Sequence, residues 1–245
     1  MRRSPYTIYH SLAAAIVLLF AIKNNFWHTF IHGFSIGTPK PPVLIFSLAC
    51  QVALFGLLVL FLWISTLFSS ARNGVCDDDA AEPKPPNRKK AVVTALVVFV
   101  PICIVTLGLE WTCSNAMEKL FDIHLAQQDL VQWLQPDAYP LGVRLMLMAF
   151  VLFEAPLLEE PLFRGIMFRG LETAMPTWGA AVVSGFLFAI AHVNAATFIP
   201  LMFLGVAFAW LYRRTGSILA PMTVHFLFNA LNLVLCLVFP DLAGC

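Results

Sequence analysis

The sequence contains little charge. Lys, Arg, Asp and Glu make up only 12% of its 245 residues, whereas hydrophobic residues make up 60%, and the mean hydropathy is +0.81. Soluble domains carry about twice that charged share, roughly 25%. This composition excludes an ordinary soluble domain. The formal net charge of +1 gives no indication of an acidic partner, and we expect no nucleic-acid partner.

Other common patterns are also absent. The six cysteines include no CxxC spacing, which leaves apolar packing as their simplest role. No internal repeat is visible. The apolar stretch "AIVLLFAIKNNFW" near the N-terminus has no small-x-small cleavage site, so we expect a retained signal anchor and not a cleaved signal peptide.

Long apolar runs take the place of these patterns. A helix needs about 20 apolar residues to cross the hydrocarbon core of a bilayer. Apolar runs predict spans at 7–23, 43–69, 91–113, 141–171, 178–195, 197–212 and 218–239, of which 197–212 has only 16 residues and would reach about 24 Å as a helix. The predicted fold class is therefore all-α, a polytopic bundle of about seven transmembrane helices in a lipid bilayer. Nothing in the sequence indicates an oligomeric state.

A polar segment divides the chain. Residues 71–90, "ARNGVCDDDAAEPKPPNRKK", are rich in Pro, Asp and Lys, a composition typical of a solvated linker. We predict an N-terminal two-helix membrane region with its linker at 1–90. A five-helix membrane core follows at 91–245.

The distribution of Lys and Arg predicts the orientation. Five basic residues lie in the 71–90 linker, whereas 114–139 contains only Lys119. Because positive residues mark the cytoplasmic side, we expect the N-terminus and the linker inside the cell and the C-terminus outside. Seven spans also place the remaining basic cluster inside, namely Arg169, Arg213 and Arg214.

Two adjacent carboxylates interrupt the fourth predicted span. On a helix, Glu160 and Arg164 share a face and can pair because they are four residues apart. Glu159 is rotated by about 100° from Glu160, so it stays free for another role. Pro156 and Pro161 bracket the two acids and predict a bent, partly opened helix. This segment alone is compatible with a functional site or with an ion pair that joins two helices.

Two further spans carry polar side chains at helical spacing. His192 follows Phe188 by four residues, and Asn229 follows His225 by four. Either histidine alone would be interpreted as a core residue bonded to a carbonyl. Counted from the cytoplasmic ends of their spans, Glu159, His192 and His225 lie about 18, 21 and 10 Å deep. These depths permit a shared site near one layer of the membrane.

Three ordered motifs carry a family resemblance. "EEPLFR" at 159–164, "FAIAH" at 188–192 and "HFLFN" at 225–229 match the signatures EExxxR, FxxxH and HxxxN/D. In these motifs the chain resembles the CPBP family, which unites type II CAAX prenyl endopeptidases with bacterial Abi proteins linked to bacteriocin immunity. The resemblance covers roughly 141–238. Pro161, directly after the second glutamate, is less usual.

The resemblance implies an intramembrane glutamic endopeptidase. Glu159 would be the base that activates water, and His192 would assist it. The oxyanion would be bound by His225 and Asn229. The supporting residues would be Glu160, Arg164 and Phe188. The implied substrate is a peptide or a prenylated protein, and no metal or other cofactor is expected. We further expect a multi-pass protein of a bacterial inner membrane, with its active site facing the cytoplasm.

Three alternatives stay open. Two histidines and a glutamate could form a catalytic zinc site, although HExxH is absent and Asn229 is a poor zinc ligand. Intramembrane carboxylates could relay protons in a transporter, in which case Glu110 and Glu154 should matter as much as Glu159. The chain could also be a silent scaffold or immunity protein, whose phenotype would survive the loss of Glu159.

Overall fold

The structure, a computed structural model, describes residues 87–121, 134–135, 137–192 and 197–238. Within these ranges every regular element is a helix, which confirms the all-α fold class. The predicted spans at 7–23 and 43–69 lie outside the described residues, as does most of the linker. The count of seven spans therefore stays a prediction.

Five helices form the described part of the chain. They are α1 (Arg88–Phe121), α2 (Leu141–Leu171), α3 (Thr177–Ala191), α4 (Phe198–Thr215) and α5 (Leu219–Val238). Among them, α1, α2 and α5 are long and apolar enough to cross a membrane, while α3 is a shorter apolar helix. Each helix overlaps one of the spans predicted after the linker, and the largest difference is at the end of α1, which extends to Phe121 where the prediction ended at 113.

Helix α2 is not uniform. It is α-helical over Leu141–Ala149, π-helical over Phe150–Glu154, α-helical over Ala155–Glu160 and π-helical over Pro161–Phe168. A wider π-turn leaves some backbone groups without their usual partners and is frequent at functional sites. The predicted opening of this helix takes the form of two π-helical stretches beside its two prolines.

All five helices share one apolar core. Each contributes side chains that are less than a tenth exposed, among them Ala95, Phe163, Phe188, Phe208 and Val224. Helices α3 and α4 pack against each other most extensively. The polar residues of the site therefore lie on helices whose positions are fixed by a common core.

Glycines permit the close packing of α3 and α4. A Cβ atom on Gly205 would lie 2.7 Å from the Cα of Gly185, and one on Gly185 would lie 2.8 Å from the carbonyl oxygen of Met202. Side chains cannot approach this closely, so the interface depends on small residues, as is common between membrane helices.

A polar cluster joins the ends of three helices. Thr177, at the start of α3, donates its hydroxyl to the Glu172 carboxylate at 2.9 Å. Arg213, in the last turn of α4, places its Nε 3.4 Å from the same carboxylate oxygen. The end of α2, the start of α3 and the end of α4 therefore lie at one end of the bundle, where the Lys and Arg pattern predicts the cytoplasm.

The outer face of α1 is apolar. Val93, Leu96, Val97, Val100 and Ile104 are all more than half exposed. A continuous exposed apolar surface of this kind is unfavourable in water and is the normal surface of a helix that faces lipid tails. The described part of the chain fits a membrane protein.

Candidate active site

A buried ion pair lies at the centre of the bundle. The Nη1 of Arg164 donates to the Oε1 of Glu160 at 2.9 Å, and both side chains are completely buried. The predicted pairing of these residues, four apart on α2, is confirmed. Because an isolated charge is very costly in a low-dielectric interior, each residue requires the other.

Aromatic rings and a carbonyl complete the surroundings of Arg164. Its guanidinium carbon lies 4.6 Å from the ring centre of Phe188, 4.9 Å from that of Phe208 and 5.6 Å from that of Phe163. Its Nη2 donates to the Gly205 carbonyl at 3.1 Å. Cation–π contacts of this kind stabilise a desolvated guanidinium. Phe188, predicted as a supporting residue, lies directly on the arginine.

His225 is bound to the same carboxylate. Its Nδ1 lies 2.9 Å from the Oε1 of Glu160, and its side chain is only 4% exposed. Because an ionised carboxylate only accepts hydrogen bonds, we assign the hydrogen to Nδ1. The other ring nitrogen, Nε2, takes no part in this bond. Helices α2 and α5 are joined at this bond.

Glu159 and His192 form a second, more open group. The Oε2 of Glu159 lies 4.0 Å from the Nε2 of His192, and the two side chains are 23% and 33% exposed. The Nδ1 of His192 lies 2.8 Å from the Phe188 carbonyl, to which it donates. Within the described residues, the buried Oε2 atom of Glu159 has no hydrogen-bond partner.

Phe188 connects the two groups. Its ring centre lies 4.7 Å from that of His192 and 5.9 Å from that of His225. The open Glu159 group and the buried Glu160 group therefore both have a histidine close to the same aromatic ring. Six of the seven predicted site residues belong to these two groups, namely Glu159, Glu160, Arg164, Phe188, His192 and His225. The seventh, Asn229, makes a different contact.

Asn229 contacts the backbone of α2. Its Nδ2 donates to the Val151 carbonyl at 2.9 Å. A side-chain amide carries two N–H groups, so the second one stays available. Asn229 follows His225 by one turn of α5, and both side chains reach α2.

Four residues of this arrangement were not predicted as site residues. Gly205 and Phe208 contact Arg164, Val151 binds Asn229, and Ser184 donates its hydroxyl to the Phe163 carbonyl at 3.3 Å. Gly205 and Phe208 lie in the stretch "GVAFAW" at 205–210, but glycine and phenylalanine carry no chemical signal in so apolar a chain. The backbone carbonyl of Val151 has no sequence signal at all.

A further acid lies near Glu159 in the described ranges. Glu154 lies close enough to Glu159 for their charges to interact. In this part of the chain, no three His, Cys, Asp or Glu side chains gather closely enough to hold a metal ion. The arrangement offers a carboxylate, two imidazoles and an amide.

Comparison with known proteins identifies the segment that carries the site. Residues 141–231 match a family model described as type II CAAX prenyl endopeptidase Rce1-like. This match confirms the resemblance carried by the three motifs, all of which lie inside the matched segment. The family is one of proteases, which supports a peptidase role. No curated protein and no solved structure matches the chain.

Proposed function

We propose that this membrane protein is an intramembrane endopeptidase that cleaves a peptide or prenylated protein with water activated by Glu159. One observation carries the proposal: the 4.0 Å gap between the Glu159 carboxylate and the His192 imidazole. The gap is too long for a direct hydrogen bond and suits a water molecule held by both groups. The Oε2 atom of Glu159 is buried and has no hydrogen-bond partner in the described residues, so a water held in the gap would satisfy it.

The two ends of this gap are suited to proton transfer. Since Nδ1 of His192 donates to the Phe188 carbonyl, Nε2 of the neutral imidazole is an acceptor that faces Glu159. A water between the two can give one hydrogen to Glu159 and direct a second to His192. Its oxygen then attacks the carbonyl carbon of the scissile peptide bond, and Glu159 takes up the proton as general base.

The oxyanion that forms needs hydrogen-bond donors. The Nδ1–H of His225 is held by the Glu160 carboxylate, and in the proposed mechanism the donor to the oxyanion is an N–H at its Nε2. The second N–H of Asn229 is the other donor. Each donor of this kind typically contributes about 10²–10³-fold to the rate. Collapse of the tetrahedral intermediate breaks the C–N bond as the protonated Glu159 gives its proton to the leaving amine.

Glu160 is unsuited to the role of base. Its Oε1 accepts hydrogen bonds from both Arg164 and His225, and its side chain is fully buried. A fully enclosed carboxylate whose oxygen is already bound by two donors has no access to a water molecule that it could activate. We assign it, with Arg164 and Phe188, a supporting role.

The proposal requires no metal. In the described residues the only carboxylate close to His192 is Glu159, while His225 turns its Nδ1 to a different carboxylate. A site with two histidines and one glutamate on the same ion would need another arrangement of these side chains. We further propose that the protein is a multi-pass protein of a bacterial inner membrane and that its active site is open to the cytoplasm.

The decisive experiment uses the purified protein in detergent. Prenylated and unprenylated peptide libraries are incubated with the wild type and with Glu159→Gln, and the products are identified by mass spectrometry. We expect cleavage by the wild type only. Glu110→Gln is the matched control, because Glu110 is an acid within α1 and a proton-relaying transporter would need it. Loss of activity in both variants would contradict the proposal. If the wild type cleaves no peptide and cells that carry Glu159→Gln keep the phenotype of the wild type, a scaffold role would be favoured.

A further inference from the structure

The first π-helical stretch of α2 alters the backbone hydrogen bonds beside the site. In an α-helix the N–H of Ala155 would donate to the carbonyl of Val151, four residues earlier. In this structure it donates to the Phe150 carbonyl, five residues earlier. The carbonyl of Val151 thus loses its usual donor.

Pro156 removes the next donor. If the π-pattern continued by one residue, the N–H of residue 156 would bind the Val151 carbonyl. Proline has no N–H, so α2 itself supplies no replacement. A carbonyl without a donor inside a membrane protein is costly, and it must find a donor on another element.

Asn229 is that donor. Its Nδ2 lies 2.9 Å from the Val151 carbonyl oxygen, and it reaches across from α5, 78 residues later in the chain. One of the two amide hydrogens is fixed by this bond. The planar geometry of the amide then fixes the direction of the second.

We propose that Pro156 is a positioning residue for Asn229. By denying the Val151 carbonyl a backbone donor, it keeps that carbonyl available to hold one amide hydrogen of Asn229, and the other is thereby aimed at the oxyanion. The proposal rests on the proposed function, since it gives Asn229 a substrate to face. It also explains why a helix-breaking residue stands one turn before the two glutamates.

The substitution Pro156→Ala tests this directly, because it restores an N–H that can compete with Asn229 for the Val151 carbonyl. Alanine is a far better helix residue than proline, so the melting temperature should stay equal or rise. The kcat should nevertheless fall by about 10-fold or more, because an oxyanion donor that points in the wrong direction contributes less to the rate. The KM should change little. A merely structural role would not raise stability and lower kcat together.

The matched control is Pro101→Ala. Pro101 also lies inside a helix, α1, but its side chain is exposed and belongs to no part of the site. It should raise the melting temperature and leave kcat unchanged. Full activity in Pro156→Ala, in a preparation whose cleavage is abolished by Glu159→Gln, would overturn the inference and leave the proposed function intact.

A double-mutant cycle tests the bond without any activity. Asn229→Ala should lower the melting temperature of the wild type, because it leaves the Val151 carbonyl without a donor. In the Pro156→Ala background the same change should cost much less, because residue 156 then supplies a backbone N–H. Equal losses in both backgrounds would overturn the inference. If the wild type cleaves no peptide, the proposed function fails, and so does the proposal that Asn229 faces an oxyanion. The double-mutant cycle then decides by itself whether Pro156 controls the bond between Asn229 and the Val151 carbonyl.

Discussion

His225 donates its Nδ1 hydrogen to Glu160 at 2.9 Å, across 65 residues of sequence and between two helices. Both side chains are buried, so neither can exchange this partner for water. Glu160 consequently connects the Arg164 guanidinium to the imidazole that we propose to face the substrate. Its substitution should affect both stability and catalysis, and the two effects can be separated.

The adjacent glutamates should respond differently to the same change. Glu159→Gln removes the proposed base but keeps the shape, so we expect activity to fall by about 10²-fold or more with an unchanged melting temperature. Glu160→Gln leaves the buried Arg164 without its anion, which should cost about 3–5 kcal/mol of stability. Melting curves and one peptide-cleavage assay on the detergent-solubilised variants provide the comparison. Equal stability losses, or full activity in Glu159→Gln, would show that the roles are reversed.

Removing the whole ion pair should cost less than removing half of it. Arg164→Ala should lower the melting temperature about as much as Glu160→Gln, whereas Glu160→Gln combined with Arg164→Met should recover part of the loss, because no uncompensated charge is left among the phenylalanine rings. Activity should not recover with stability, since His225 would still lack its carboxylate. A double variant less stable than either single variant would contradict this account of the pair.

The glycine contact between α3 and α4 should tolerate no side chain. Gly205→Ala would place a Cβ atom 2.7 Å from the Gly185 backbone, and we expect a loss of about 1–3 kcal/mol from the forced separation of the helices. Gly108→Ala on α1 is the control, because a Cβ there meets nothing within 4 Å; it should be neutral or stabilising by up to about 1 kcal/mol. Thermal unfolding measures both. Similar melting temperatures for the two variants would rule out a tight α3–α4 contact.

Removal of zinc should leave cleavage intact. Under the proposed mechanism the base, the assisting imidazole and the oxyanion donors are all side chains of this protein. Exhaustive dialysis against a zinc-selective chelator, followed by the cleavage assay and elemental analysis, provides the measurement. Stoichiometric zinc in an active preparation, lost together with activity, would favour the metalloprotease alternative.

Local geometry explains what the sequence could predict. The Glu160–Arg164 pair follows from a four-residue spacing on a helix, and the apolar runs indicate where α1 to α5 lie. The bond between His225 and Glu160 joins distant segments, so it depends on how α5 packs against α2 and leaves no periodic signal. The same holds for the contact of Arg164 with the Gly205 carbonyl, whose acceptor is a backbone atom common to every residue.

The prolines of α2 show a subtler limit. Pro156 and Pro161 predicted a bent helix, because each lacks a backbone donor. A helix can accommodate a proline by a kink or by a π-turn. Which of the two forms depends on whether a neighbouring element can donate to the carbonyl that has lost its backbone donor. Asn229 on α5 provides that partner for Val151, and only the assembled bundle brings it there.

The burial of Glu159 and Glu160 has a consequence for any molecule that competes for this site. The two residues are joined by one peptide bond, yet the first side chain is 23% exposed and the second is fully enclosed. That bond therefore joins a partly accessible side chain to an enclosed one. We expect a carboxyl reagent such as a carbodiimide to modify Glu159 and to leave the inaccessible Glu160 unmodified. Under the proposed mechanism, inhibitors and substrates would therefore meet Glu159 alone, while Glu160 forms part of the rigid lining behind it.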